Sequence, residues 1–175
     1  LTTLSDLVRD GKVRYIGCSN FPAWQLEKAL WISDTNGLEP FVTVQPRYNI
    51  MDRDIERELL PLCIEEGLGV IPYSPLAGGF LTGKYQPDRP APEGSRGQLR
   101  PEWVSRYLNP RSQTILQELG KISAETKMSM GQLSLAWLMA NPAITSPIIG
   151  ASKLEQLEEN VEVLNHSLST EALNR

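Results

Sequence analysis

The chain has 175 residues, of which 41% are hydrophobic and 22% are charged, and its formal net charge is -4. These values are typical of a soluble globular protein and allow a single domain over residues 1–175 with a substantial core. The mild acidity argues against nucleic acid or an anionic membrane as a partner, and no apolar run is long enough to cross a membrane. The only two cysteines, Cys18 and Cys63, cannot form a disulfide framework or a thiolate metal cluster, so we expect a cytoplasmic protein without a metal site.

The N-terminal part of the chain alternates predicted helices and strands. An amphipathic helix comes first, and its apolar stripe consists of Leu1, Leu4, Leu7 and Val8. Strands are predicted over residues 13–18, 41–44 and 69–73, with helices beginning at about Pro22 and at about Asp54. The strands recur about every 27 residues, which is the spacing of a β-α unit in a parallel sheet.

The C-terminal part contains a long insertion and then one more unit of the same kind. Glycines and prolines between Gly78 and Gly94 predict an irregular connection after the third strand. The remaining predicted elements are helices over 115–123 and 130–139, a fourth strand over 143–149 and a last helix over 154–164. We expect the last helix to turn four apolar residues toward the core, namely Leu154, Leu157, Val161 and Leu164.

Four β-α units and a leading helix are compatible with two architectures. A closed (α/β)8 barrel needs roughly 250 residues, so this chain would be about half of one, whereas an open doubly wound sheet closes with about four or five strands. A dinucleotide-binding sheet has Gly-x-Gly-x-x-Gly after its first strand, and the turn from Gly17 to Pro22 (GCSNFP) lacks that pattern. Each predicted strand end instead has polar candidates for ligand contacts: Ser19 and Asn20, Gln45, Tyr73 and Ser74, and then Gly150 and Ser152. Barrels have their sites at this C-terminal mouth, so we predict the C-terminal half of a TIM-type α/β barrel.

The turn after the fourth predicted strand has the features of a phosphate site. The segment from Gly150 leads into a helix whose first turn contains Ser152 and Lys153, so backbone N–H groups, a hydroxyl and an ammonium converge there. The alternative is that Ser152 only caps the helix. The segment alone leaves both interpretations open.

A second phosphate motif is misleading. Residues 78–85 (GGFLTGKY) match the phosphate-loop spacing except at the last position, where Tyr85 replaces the Ser or Thr that would bind magnesium. Pro87, Pro90 and Pro92 also exclude the helix that must follow Lys84. Both features argue against nucleotide triphosphate hydrolysis. Lys84 and Arg96 are either cations that fold over a pyrophosphate or solvated loop charges, and their spacing does not separate these alternatives.

Four segments together resemble the C-terminal half of an aldo-keto reductase. They are residues 11–21 (GKVRYIGCSNF), 44–49 (VQPRYN), 73–85 (YSPLAGGFLTGKY) and 150–160 (GASKLEQLEEN). The resemblance is strongest to the long-loop branch that includes potassium-channel β-subunits and many bacterial reductases. It implies an (α/β)8 barrel that uses NADPH to reduce aldehydes and ketones to alcohols, with a small carbonyl compound as the substrate.

The resemblance also implies a cofactor role for fifteen positions. Ser19, Asn20 and Gln45 match residues that hydrogen-bond the nicotinamide carboxamide, and Tyr73 matches the aromatic residue that stacks on the nicotinamide ring. The segment that covers the pyrophosphate is matched by Ser74, Pro75, Leu76, Gly78 and Lys84, with Arg96 as a basic loop residue beside the phosphates. The adenosine end is matched by Gly150, Ser152 and Gln156 around the 2′-phosphate and by Glu159 and Asn160 at the adenine.

The chain departs from the family pattern in two respects. The better-known members have a Lys and an Arg at the positions of Gly150 and Gln156, so preference for NADP(H) over NAD(H) is expected with Lys153 compensating for the lost charge. The catalytic Tyr, Lys, Asp and His of the family lie on earlier strands that have no match here. We therefore predict no catalytic residue in this chain and expect the single histidine, His166, at the surface.

Three functional hypotheses follow from the sequence. The first is a part of an NADPH-dependent carbonyl reductase whose acid catalyst lies outside this chain. The second is a cofactor-sensing binding module, as the similarity to channel subunits permits. The third is a half-barrel that pairs with another half, because open strand edges and apolar faces would favour an oligomer.

Overall fold

The computed structural model describes residues 1–175, in which short parallel strands alternate with helices. The helices are α1 (Thr2–Arg9), α2 (Ala23–Asn36), α3 (Leu59–Glu65), α4 (Arg96–Leu99), α5 (Glu102–Ser105), α6 (Pro110–Thr126), α7 (Met130–Met139), α8 (Leu154–Glu162) and α9 (Thr170–Asn174). The strands are β1 (Ile16–Ser19), β2 (Phe41–Gln45) and β3 (Gly69–Val70), and 3-10 turns span Asp54–Glu56, Ala77–Thr82 and Val163–Asn165. This order confirms the predicted β-α units for the first three strands.

The sheet is parallel, with the strand order β1-β2-β3. Gly17 of β1 is paired with Thr43 of β2, and Ser19 is paired with Gln45, so both strands end at the same level. Apolar residues anchor each strand, because Ile16, Val44 and Val70 are buried. The carboxyl ends of all three strands consequently meet at one edge of the sheet.

The prediction of a regular fourth strand over 143–149 is wrong. This segment runs beside β3 and makes one parallel bridge, between Val70 and Ile144. Thr145 N and Ile148 N donate to Val70 O and Pro72 O at 2.9 and 2.8 Å, so part of the expected ladder is present. Pro147 has no N–H to continue it. The segment therefore extends the sheet irregularly on the far side of β3.

Most of the predicted helices are confirmed. Pro22 is the N-cap of α2, α6 contains the predicted residues 115–123, and α7 has the predicted bounds. The helix expected from about Asp54 is instead a 3-10 turn followed by α3. Asn109 caps α6, and Ser129 with Gln132 forms a capping box on α7, which explains why these two helices begin where they do.

The apolar face predicted for α8 is not buried. Its residues are Leu154, Leu157, Val161 and Leu164, with exposed fractions of 65%, 44%, 48% and 67%. The buried contact comes from Val163, which is 3% exposed. The prediction is wrong for this chain because the contact of α8 with α7 leaves these four side chains largely exposed, although Val161 and Leu164 border a cavity beside α7.

Two groups of buried side chains form the interior. One lies around the sheet and includes Leu26, Val44, Tyr48 and Leu138. The other lies between α6, α7 and the long connection and includes Phe80, Leu81 and Leu119. The second group fixes the segment after β3 against the helices, which positions that segment at the carboxyl ends of the strands.

Apolar side chains are also exposed near β1. Tyr15, Trp24 and Trp31 are exposed to 76%, 63% and 62%. Together with the apolar face of α8, they leave large apolar surfaces on the elements at the two ends of the chain. None of the helices is both long and apolar enough to span a bilayer.

Candidate functional site

Four of the predicted residues meet at the ends of the strands. Ser19 Oγ donates to the backbone oxygen of Gln45 at 2.8 Å, and Asn20 N donates to the same oxygen at 3.2 Å. Tyr73 Oη donates to Asn20 Oδ1 at 3.1 Å, although the two residues are 53 positions apart in the chain. Ser19, Asn20, Gln45 and Tyr73 thus form one hydrogen-bonded group, which we call the strand-end cluster.

The conformation of Asn20 follows from its position at this edge. Its φ is 57°, a left-handed conformation that asparagine tolerates better than most residues. The residue turns the chain from β1 toward α2 while its amide oxygen accepts the Tyr73 hydrogen bond. Asn20 is exposed and Tyr73 is half-buried, so the cluster is open to solvent on one side.

The segment after Tyr73 contains an unusual run of left-handed residues. Ser74 and Ala77 have φ values of 56° and 50°, and Gly78 and Gly79 follow at 69° and 94°. Glycine is needed here because it adopts these angles without steric cost. Pro75 is buried and Leu76 is half-buried, so they anchor the segment. The segment has little side-chain bulk at its two glycines, and we call residues 74–84 the glycine turn.

Lys84 folds back over this glycine turn. A methyl group built on Gly79 would lie 2.9 Å from Lys84 Cε and 3.0 Å from Lys84 Nζ. Lys84 Nζ also lies 5.3 Å from the centre of the Tyr85 ring. The next helix begins only at Arg96, so the exclusion of a phosphate-loop helix after Lys84 is confirmed. The ammonium is instead placed directly beside the backbone of the turn.

The long connection brings Arg96 to the fourth segment of the sheet. Gly97 N donates to Tyr85 Oη at 3.0 Å, which fixes the beginning of α4. A methyl group on Gly150 would lie 3.2 Å from Arg96 Nη2. Gly78 approaches the backbone oxygen of Trp103, because a methyl group there would lie 3.6 Å from it. The connection therefore contacts both the glycine turn and the end of the fourth segment.

The predicted adenosine end comprises the turn before α8, with Gly150 and Ser152, and the first two turns of α8. Ser152 N and Ser152 Oγ donate to Gln156 Oε1 at 2.9 and 3.1 Å. Glu159 is exposed, and its backbone oxygen accepts a hydrogen bond from Gln132 Nε2 at 3.3 Å. Asn160 is half-buried and borders an apolar cavity of ≈ 280 Å³ between α7 and α8. Gln156, Glu159 and Asn160 share one side of the helix because they are three and four residues apart.

A buried polar network was not predicted from the sequence. Asp52 accepts hydrogen bonds from Tyr107 Oη at 2.5 Å and from Asn49 Nδ2 at 3.1 Å, and it forms a salt bridge with Arg106. Asn49 Nδ2 also donates to Ser74 O at 3.0 Å. The network ties the loop after β2 to the long connection and to the start of the glycine turn. Burial, followed by donation to Asp52, raises the pKa of Tyr107 to about 12.

The hydroxyls of Tyr48 and Tyr85 form hydrogen bonds within the chain, and Tyr15 and His166 lie at the surface. None of these contacts is that of a residue placed to give a proton to a substrate. Tyr48 Oη donates to Glu56 Oε1 at 2.7 Å and accepts from Asn141 Nδ2 at 3.1 Å, and burial with the first of these bonds raises its pKa to about 12. Tyr85 accepts from Gly97 N, and Tyr15 projects into solvent. His166 lies at the surface, with Nε2 3.9 Å from Glu162 Oε1.

The arrangement has the shape and the donor groups that a nicotinamide dinucleotide needs. The strand-end cluster offers amide and hydroxyl groups suited to a carboxamide, beside the half-buried ring of Tyr73. The space that a Cβ at Gly79 would need is occupied by the end of the Lys84 side chain, whose ammonium is a cation for a pyrophosphate. Arg96 and Ser152 offer a cation and a hydroxyl at the far end. The residues present therefore fit the cofactor.

The parallel β-α units, with polar groups at their strand ends, define an α/β protein. The aldo/keto reductase family model matches residues 1–175, and the chain belongs to this family of oxidoreductases. The predicted fold class is thereby confirmed, and the chain is part of an (α/β)8 barrel.

Individual relatives cover nearly all of the chain. It is 38% identical over 91% of its length to a putative voltage-gated potassium channel subunit beta of Schizosaccharomyces pombe, covering 47% of that protein. It is 35% identical over 98% of its length to an L-glyceraldehyde 3-phosphate reductase of Escherichia coli O157:H7, covering 51% of it. An aryl-alcohol dehydrogenase of Phanerodontia chrysosporium whose name specifies NADP(+) is 33% identical over 97% of the chain, which covers 44% of that enzyme. The chain therefore spans about half the length of the curated relatives that it matches.

Proposed function

We propose that this chain forms the cofactor-binding part of an NADP(H)-dependent oxidoreductase that reduces aldehydes or ketones to alcohols. The observation that carries the proposal is that the residues predicted to contact the cofactor lie in an uninterrupted row. Four groups follow one another along the same edge of the sheet. They are the strand-end cluster, then the glycine turn together with Lys84, then Arg96, and finally the bonded pair of Ser152 and Gln156. The name of the Phanerodontia relative, which specifies NADP(+), supports the same cofactor.

Each part of the edge has a role in this proposal. The cofactor supplies the hydride that reduces the carbonyl carbon. Ser19, Asn20 and Gln45 fix the carboxamide and thereby the ring face that is presented to the substrate. Tyr73 packs on the nicotinamide ring, and its hydrogen bond to Asn20 keeps the aromatic ring in position. Lys84 neutralises the pyrophosphate where the glycine turn lets the backbone approach.

In the proposal, the proton that completes the reduction comes from a residue outside this chain. Tyr48 and Tyr107 donate to carboxylates, and raised pKa values of about 12 make them poor acids near neutral pH. In the proposal, the acid catalyst and the other wall of the substrate pocket belong to a polypeptide that supplies the remaining strands of the barrel. The exposed apolar surfaces at β1 and α8 are where that polypeptide packs, whether it is joined to this chain or a separate subunit.

The proposed 2′-phosphate contact gives a direct test. Ser152→Glu puts a carboxylate beside the phosphate, and the variant should fold because Ser152 is exposed and lies just before the N-terminus of α8, where negative charge is favourable. Like charges a few ångströms apart near a surface repel by about 1 kcal/mol or more. We therefore expect NADPH affinity to fall at least roughly fivefold, while NADH affinity stays within about twofold, as measured by nicotinamide fluorescence in titrations of the full chain.

The matched control is Thr3→Glu. It replaces another exposed hydroxyl with the same charge, on α1 at the opposite end of the chain. It should leave both affinities unchanged. Equal losses of NADPH and NADH binding in Ser152→Glu would contradict the assignment of the 2′-phosphate to α8, and a folded wild-type chain that binds neither cofactor would contradict the proposed function.

A second candidate function is a cofactor-sensing module. The similarity to a protein named as a potassium channel subunit favours it, and so do the hydroxyls of Tyr48 and Tyr107, which donate to carboxylates. Both functions use the same cofactor contacts. The sequence of the strands that complete the barrel separates them, because a reductase requires a Tyr and a Lys there and a sensing module does not.

A further inference from the structure

Trp103 has a position that its sequence context does not explain. It lies on α5, and 46% of it is exposed despite its size. The guanidinium carbons of Arg96 and Arg100 lie 5.7 and 5.5 Å from the centre of the Trp103 ring. Both distances are within the range of cation–π attraction. The tryptophan is therefore a platform that holds two arginines of the long connection.

Both arginines keep their charge available. Arg106, on the same connection, is paired with Asp52, but neither Arg96 nor Arg100 forms a salt bridge. An aromatic face orients a guanidinium without neutralising it, so its N–H groups can still donate to an anion. In an ion pair, by contrast, a carboxylate would neutralise the charge of the guanidinium.

Arg96 reaches the end of the fourth segment from this platform. Its Nη2 would be 3.2 Å from a methyl group on Gly150, two residues before Ser152. Ser152 and Gln156 are neutral and bond to each other. Lys153, the N-cap of α8, is the cation next to Ser152 in the chain, and the guanidinium of Arg96 is a second cation that the long connection brings to the same turn. A longer side chain at position 150 would compete with it for the same space.

We propose that Trp103 is a positioning residue that holds Arg96 against Gly150, so that the long connection supplies a cation, in addition to Lys153, that favours a 2′-phosphorylated over an unphosphorylated nicotinamide dinucleotide. The inference rests on the proposed function and adds the origin of the cofactor preference. Gly150 is part of the arrangement because the absence of a side chain there leaves room for the guanidinium.

The experiment compares Trp103→Leu with the conservative Trp103→Phe in the full chain, using NADPH and NADH as probes. Leucine keeps the apolar bulk but has no π face, so Arg96 loses its support. NADPH affinity should fall roughly 3- to 30-fold, the range that corresponds to one cation–π contact, while NADH affinity changes by less than about twofold. Trp103→Phe should retain most of the preference for NADPH.

A double-mutant cycle shows whether Trp103 acts through Arg96. In an Arg96→Gln background, Trp103→Leu should have no further effect on the NADPH to NADH affinity ratio. If Trp103→Leu fails to fold, Gly150→Val provides the second test, since it displaces Arg96 directly and should lower the same ratio. An unchanged ratio in folded Trp103→Leu, or equal losses in both backgrounds, would overturn the inference while leaving the proposed function intact. A folded wild-type chain that binds neither cofactor would overturn both.

Discussion

Gly17→Ala is expected to destabilise the chain more than any other single methyl addition in the sheet. A Cβ at this position would overlap Thr43 Oγ1 and would lie 2.8 Å from the backbone oxygen of Thr43. Thr43 is the residue paired with Gly17 in the β1–β2 ladder, so relief requires the two strands to separate. Overpacking of this kind costs about 1–3 kcal/mol, which is a large part of the stability of a typical domain.

Gly120→Ala is the matched control for this prediction. Gly120 lies inside α6, and a methyl group there would have no atom within 4 Å. The substitution should raise the free energy of unfolding by about 0.5–1 kcal/mol, since alanine is the better helix former. Urea unfolding followed by circular dichroism measures both variants. If Gly17→Ala unfolds at the wild-type urea concentration, the close approach of β1 to β2 is not present in solution.

The second large effect is a loss of stability at alkaline pH. Burial raises the pKa of both Tyr48 and Tyr107 to about 12, with further increases from the hydrogen bonds that they donate to Glu56 and Asp52. An unfolded tyrosine ionises near pH 10, whereas the folded one stays protonated. The stability contributed by each is therefore complete below about pH 10 and is lost as the pH rises toward 12. Two pKa units correspond to at most about 2.7 kcal/mol for each tyrosine.

The contribution of one tyrosine can be isolated with Tyr107→Phe. The variant should show a shallower decrease in the free energy of unfolding between pH 10 and 12 than the wild type. The comparison is needed because Cys63, whose pKa burial raises to about 11, lowers stability in the same direction from about pH 9. Tyr15→Phe, which removes a hydroxyl from an exposed ring, serves as the control. Parallel pH profiles for wild type and Tyr107→Phe would contradict the buried bond to Asp52.

Periodic and local signals in the sequence predicted the elements that are stabilised within this chain. The strands around Ile16, Val44 and Val70 and the capped helices α6 and α7 bury their apolar residues against each other. Hydrophobic spacing and caps are sufficient to locate such elements. The strand-end groups could also be predicted, because parallel strands bring their carboxyl ends together.

The errors concern residues that stay exposed although their spacing is that of a core face, and residues whose partners lie far away along the chain. The period of the apolar residues from Leu154 to Leu164 predicts a core face, but these side chains are largely exposed in the chain. Asp52 and Tyr107 are 55 residues apart, and no local pattern predicts a hydrogen bond across that separation. Trp103 follows Arg96 and Arg100 at helical spacing, which was a usable signal, although the position of Arg96 at Gly150 depends on how the long connection folds.

The most direct test of the central claim is amide chemical-shift mapping of the full chain during titration with NADP+. The proposal predicts saturable shifts concentrated at the strand-end cluster, the glycine turn of residues 74–84, and residues 150–156, with a shift of the Trp103 indole signal. Saturable shifts confined to other surfaces, or no shifts in a folded chain, would contradict the assignment of the cofactor to the carboxyl edge of this sheet.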